Sequence, residues 1–287
     1  MEKTSLTNFP LWHWPALLAL DTPGVTVLWL ALFAQALYVP LEAPHFLITA
    51  GGGWLFLALS RSIRAAQDTA RDLNDPRVHF FRAERWPLLT VTPFVLLSVV
   101  IIAANRLRWL EQMGLLPLAG FAAMYLVSCA FYHRRTEELL PREIAYSLFA
   151  GGIVSVFLLA NGIFPPVHVT TLLVLLVVLL ILAFWTSSDF EWRDRAKHAK
   201  PFVLRVPRLE LSAIRVNGFV ALLAIALAPL SANAPFAPVF IAIAAAAANL
   251  CLLAYFGDVL SGISARCVSR LMLLTPLVPL GFAWSGW

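Results

Sequence analysis

Apolar runs long enough to cross a hydrocarbon core of about 30 Å, each needing roughly 20 residues as a helix, recur from one end of this chain to the other. No other feature constrains the fold as strongly. Inside a bilayer every backbone N–H and C=O must be satisfied within its own segment, so repeated runs of this length become transmembrane helices. Nine runs can be read, at approximately 23–39, 44–60, 86–104, 113–132, 144–159, 167–185, 214–230, 235–255 and 264–284. The expectation is an all-α fold, a polytopic membrane protein of nine transmembrane helices in a single membrane-embedded domain over 1–287. With 60% hydrophobic and only 13% charged residues, the chain carries more apolar surface than a water-soluble domain hides.

Charge sets the expected orientation. Nineteen of the 21 Lys and Arg residues fall on one side of the nine-run pattern, and only Arg106 and Arg108 fall on the other. Cytoplasmic loops hold such an excess, which places the N-terminus in the cytoplasm and the C-terminus outside, in a multi-pass protein of the cell (inner) membrane. Because the basic residues sit in short loops between apolar runs, the net charge of +5 points to membrane topology and not to nucleic acid. Cys129, Cys251 and Cys267 lie in or beside apolar runs without CxxC spacing, so neither a disulfide framework nor a zinc site is indicated. Residues 1–22 read as an N-terminal interfacial segment, with Trp12 and Trp14 at headgroup depth and no cleavable signal ahead of them.

Two connections on the basic side stand apart, 60–85 and 187–208. If the second run continues as a helix, Ser60, Arg64, Asp68 and Asp72 step by four and share one face. Asp68 and Asp72 then suit a magnesium ion, and Arg61 and Arg64 suit a diphosphate. The plainer alternative is a solvated amphipathic helix end whose charges neutralise one another. The second connection holds Asp189, Glu191 and Asp194 among Arg193, Arg195, Lys197 and Lys200, and a charged connector is the plainer account there too. Within the runs, Tyr125, Ser128, Asn217 and Asn249 read as helix–helix hydrogen-bonding groups. Gly51-Gly52-Gly53 reads as a place of close backbone approach or a bend. Without a following Lys-Ser or Lys-Thr it is no phosphate loop.

Nine spans with charged connections after the second and sixth resemble the UbiA superfamily of intramembrane prenyltransferases, in a divergent form. The local strings that carry the resemblance are Trp54-Leu55-Phe56-Leu57-Ala58-Leu59-Ser60-Arg61, Leu140-Pro141-Arg142-Glu143, Trp192-Arg193-Asp194, and 260–276 with Arg266 and Leu273-Leu274-Thr275-Pro276. The resemblance implies a helical bundle around a lateral cavity, with aspartate-rich motifs in the two loops holding Mg2+ and a polyprenyl diphosphate. The prenyl group of that diphosphate passes to an acceptor. Carried onto this chain, Asp68, Asp72, Asp189 and Asp194 become the metal ligands, and Arg61, Arg64 and Arg193 bind substrate. The chain departs from the pattern at the end of the second run, where Ser60 and Arg64 stand at places the family gives to Asn or Asp. Two other readings follow from that departure and from the apolar spans: a catalytically inactive lipid-binding or assembly protein, and a transporter. The partner in the leading reading is a membrane lipid or isoprenoid diphosphate.

Overall fold

The computed structural model describes residues 14–66, 76–140, 142–162, 171, 173–184, 204–206, 209–211, 213–230, 236–256 and 263–284. The elements among them, in chain order, are α1 (Trp14–Leu17), α2 (Asp21–Ala36), α3 (Ala43–Ala66), α4 (Pro76–Ala83), α5 (Arg85–Arg106), α6 (Trp109–Leu139) and α7 (Arg142–Asn161). There follow α8 (Leu173–Phe184), α9 (Ala213–Leu230), α10 (Ala237–Phe256), α11 (Ile263–Leu271) and α12 (Leu277–Trp284). A short antiparallel ribbon, β1 (Leu204–Val206) with β2 (Leu209–Leu211), pairs Leu204 with Leu211 and Val206 with Leu209. It lies where an unstructured connector was expected and is the one departure from all-α among the described residues.

Each of the nine apolar runs contains helix. Four of these helices are long and apolar enough to cross a membrane: 43–66, 86–106, 109–132 and 144–161. The protein is an all-α membrane protein. The last run is interrupted. Pro276 has no N–H to return to the carbonyl four residues back, and the chain passes from α11 through a 3-10 turn at Met272–Leu274 before resuming as α12. Neighbouring helices satisfy the groups at this break, as they must in an apolar medium. The Trp29 indole donates to the Leu273 carbonyl (3.0 Å), and the Thr275 hydroxyl donates to the Ala242 carbonyl of α10 (2.9 Å). In α6 the backbone leaves helical geometry at Tyr132, the residue at which the apolar run ends. The Thr136 hydroxyl there donates to the carbonyls of Ser128 and Tyr132, each at 3.1 Å.

Three consecutive glycines make α3 the hub of the bundle. Successive residues of a helix point about 100° apart, so Gly51, Gly52 and Gly53 face three different neighbours. A Cβ on Gly51 would stand 2.6 Å from Val99 of α5, one on Gly52 3.8 Å from Phe149 of α7, and one on Gly53 3.2 Å from the Tyr146 hydroxyl and 3.4 Å from Pro23 of α2. Small residues let helices approach this closely where lipid supplies little drive for association. The expected close approach is what α3 uses. One turn further on, Phe56 stacks on Phe149 of α7 (5.2 Å) and on Tyr125 of α6 (5.6 Å), and meets Tyr146 edge-on at 5.8 Å. Outside this centre, α5 and α6 expose large apolar side chains along their length, among them Phe94, Ile101, Met124 and Phe131. In a bilayer these face hydrocarbon.

Candidate functional site

At the end of the bundle where α3 finishes, the interior is polar. α3 does not stop at Ser60 but continues to Ala66, so Ser60 and Arg64 do share a helix, as their spacing requires. That helix end is not solvated. Ser60, Arg61 and Arg64 are all buried, which overturns the plainer alternative for these residues. The cause is local. α4 folds back over the last turn of α3, and the Arg82 guanidinium donates to the Ala65 carbonyl (3.3 and 3.2 Å), capping the helix. On the other side α1 closes over Arg61. The Arg61 guanidinium lies 5.7 Å above the centre of the Phe81 ring. Its Nη1 donates to the carbonyls of Ala16 (2.7 Å) and Leu17 (3.4 Å).

This closure changes the reading of the N-terminal segment. Where the sequence suggested a helix lying in the interface, Ala16 and Leu17 are buried. The Trp54 indole fixes the next carbonyl, that of Leu18, at 2.9 Å. Trp14 packs edge-on against Phe80 of α4. The chain leaves α1 through Ala19, whose φ of 61° is left-handed; for a residue with a Cβ that conformation costs about 1–2 kcal/mol.

α11 completes the polar interior by an inverted arrangement. Ser269 and Arg270 are buried at 0% and 7% exposure, while the next residue, Leu271, is 56% exposed. Two polar side chains turned inward beside an apolar one turned out suit lipid surroundings and a polar interior. Between α11 and α3 stand α2 and α7. Thr26 and Tyr146 share a hydrogen bond between their hydroxyls at 3.2 Å.

A second polar constellation occupies the opposite end, where α3 and α6 begin and α7 finishes. Glu111, 1% exposed, takes three donors from three segments. The His45 Nε2 lies 2.7 Å from its Oε1 and the Asn161 amide donates to the same oxygen (2.5 Å), while the Arg108 N–H donates to its Oε2 (2.6 Å). The Glu42 N–H donates to His45 Nδ1 (2.9 Å), and the Glu42 carbonyl lies 3.1 Å from the same nitrogen. Phe157 packs edge-on against the imidazole at 5.0 Å. Beside it, the Gln112 amide caps the end of α5 through the carbonyls of Ala103 (3.1 Å), Ala104 (3.3 Å) and Leu107 (3.1 Å). Every oxygen of the carboxylate is engaged, and the cluster binds α3, α6 and α7 to one another.

Of the residues singled out from sequence, Arg61 and Arg64 come together in the buried polar interior, with Arg61 held against α1. Asp68, Asp72, Asp189, Asp194 and Arg193 lie outside the described residues. Sequence reasoning missed Arg270, counted only among the basic-side charges. It also missed Glu111, His45 and Asn161. For Arg270 a signal existed: Ser269-Arg270 interrupts an apolar run, and an ionisable group inside such a run marks a function or a packing partner. Glu111 lay between two run boundaries with nothing local to set it apart.

Helices of this length and apolarity around buried polar groups define the class, an integral membrane protein of helical type. No family model matches the chain, and neither a curated protein nor a solved structure matches it.

Proposed function

We propose that the protein is a UbiA-like membrane protein of nine spans that holds a polyprenyl diphosphate, or a related lipid with an anionic head, at the basic end of its bundle. The observation that carries this reading is the burial of Arg61 and Arg64 of α3 and of Ser269 and Arg270 of α11. Withdrawing a guanidinium from water costs several kcal/mol unless opposite charge and hydrogen bonds compensate, and a diphosphate supplies both in a form suited to the guanidinium fork. The apolar bundle beside it suits an isoprenoid chain. The basic end faces the cytoplasm of the inner membrane, with the C-terminus outside. In the catalytic form of this reading, Asp68, Asp72, Asp189 and Asp194 hold Mg2+, which neutralises the leaving diphosphate as the prenyl group passes to an acceptor. A second reading, a non-catalytic lipid-holding protein, is favoured by the engagement of Arg61 with backbone carbonyls of α1.

The test uses purified full-length protein in lipid nanodiscs, titrated with farnesyl diphosphate with and without magnesium. Saturable binding weakened about tenfold by Arg64→Ala and by Arg270→Ala, each corresponding to about 1.4 kcal/mol, supports the site. Binding indifferent to both substitutions, or absent, overturns it. Prenyl transfer that requires magnesium and fails in Asp68→Ala and Asp189→Ala decides for the enzyme; binding without transfer decides for the second reading. Reporter fusions near Arg77 and Lys197 should report cytoplasm and a fusion after Trp287 the outside. A cytoplasmic C-terminus would remove the nine-span topology.

A further inference from the structure

We propose that α1 is a strap over the anion site: the carbonyls of Ala16 and Leu17 hold Arg61 in the resting protein, and an anionic lipid head displaces them. The inference rests on the function proposed above and concerns the regulation of that same site.

α1 has four residues, too few to form a stable helix by itself. It is kept in place from outside. Arg61 donates to its last two carbonyls, at 2.7 and 3.4 Å, and Trp54 donates to the carbonyl of Leu18 at 2.9 Å. Leu17 and Ala19 are buried beneath. The carbonyls at the C-terminal end of a helical turn carry partial negative charge, and each has a lone pair to offer a donor from outside the turn. Towards Arg61 they therefore do in part what a phosphate oxygen does in full.

The chain is also bent to bring them there. Leu20 N–H donates to the Pro15 carbonyl (2.8 Å) and Ala19 N–H to the Ala16 carbonyl (3.4 Å), the closing turn of a helix that ordinarily places glycine at its left-handed residue. Here that residue is Ala19, with φ 61°. The docked form is held by its contacts against a backbone preference, an arrangement found at clamps and switches. A guanidinium bonds an ionised phosphate more strongly than a neutral carbonyl. A diphosphate that reaches Arg61 wins the donor, and α1 relaxes away from α3.

The experiment follows farnesyl diphosphate binding to the full chain in nanodiscs, together with hydrogen exchange of residues 14–20. Three variants shift the strap without touching an arginine. Leu17→Asp undocks α1, Trp54→Phe removes one of its tethers while keeping the ring, and Ala19→Gly relieves the bend. If the binding-competent state is the undocked one, affinity scales with its population. Leu17→Asp should then tighten binding by about tenfold and Trp54→Phe by about threefold, while Ala19→Gly weakens it by about threefold. In the native chain the probe should speed exchange across 14–20. Should Leu17→Asp fail to fold, the opposite shifts of Trp54→Phe and Ala19→Gly carry the test. Equal affinity in native chain and variants, with unchanged exchange, overturns the strap and leaves the site standing. Weaker binding in Leu17→Asp or Trp54→Phe makes α1 part of the binding surface and overturns the strap as well. No binding to the native chain or to any variant overturns the site reading itself.

Discussion

The two ends of the bundle bury polar groups by opposite means. At the end where α3 and α6 begin, one carboxylate meets an imidazole, an amide and a backbone N–H, and three helices share a single closed set. At the other end, guanidinium groups of α3 and of α11 are each buried, and that of Arg61 donates to the carbonyls of a four-residue helix. The first arrangement is complete and has the character of a fastening. The second buries guanidinium groups under a short cover that is itself bent. Burial alone therefore does not distinguish structure from function in a membrane interior. The chemistry of the partners does.

That contrast breaks most easily at Glu111. Glu111→Leu leaves His45, the Asn161 amide and the Arg108 N–H without their carboxylate, and each buried polar group left unsatisfied costs about 1–3 kcal/mol. Unfolding in mild detergent, followed by far-UV circular dichroism, should show this as the largest loss of any substitution discussed. Glu111→Gln keeps one acceptor oxygen and should lose about half as much. A loss of under about 1 kcal/mol for Glu111→Leu would show that the opposite end is not a fastening.

Arg61→Ala probes the other end. It removes charge-assisted hydrogen bonds to α1 carbonyls, a loss of about 1.5–3 kcal/mol, felt mainly by α1. Limited proteolysis should cut near residues 14–20 faster in this variant, while the midpoint of global unfolding moves less than in Glu111→Leu. Equal global destabilisation by the two would erase the distinction drawn between the ends.

Packing effects rank next. Gly51→Leu forces a side chain into Val99, whose Cγ2 would already lie 2.6 Å from a Cβ, and overpacking of this kind costs about 1–3 kcal/mol. Gly120→Leu, on the outward face of α6 where a Cβ meets nothing within 4 Å, should stay within about 0.5 kcal/mol. The same unfolding assay separates them. The smallest effect belongs to a spin label at Phe94 of α5, which should leave stability unchanged and relax strongly with lipid-dissolved oxygen. A label at Ile153 of α7, buried in the bundle, should be shielded. Similar oxygen access at the two positions would contradict the separation of a central α3–α7 pair from a peripheral α5–α6 pair.

What could be read without coordinates is what depends on short stretches of chain. The apolar runs are local, and helix lies in each of them. The three consecutive glycines could serve only close approach or a bend, and they serve approach. The ninth run read as continuous, and the structure breaks it at Pro276, where the Trp29 indole satisfies the Leu273 carbonyl. The Ser60–Arg64 spacing gave the shared helix face but not its burial, because burial is conferred by α1 and α4 folding over it. The segment near Trp14 shows the same dependence: its apolar residues suit either lipid or protein, and Ala16 and Leu17 are buried against protein.

The sequence alone therefore determined the helical, membrane-embedded character of the protein and the positions of its apolar segments. These follow from the length and composition of contiguous stretches set against the thickness of a bilayer. The tertiary structure alone decided which polar residues meet. His45 finds Glu111 across 66 residues and Asn161 finds it across 50, while Arg61 reaches back 45 residues to Ala16. Such pairings carry no local signature, because a hydrogen bond depends on where its two groups stand in space and not on how far apart they lie along the chain.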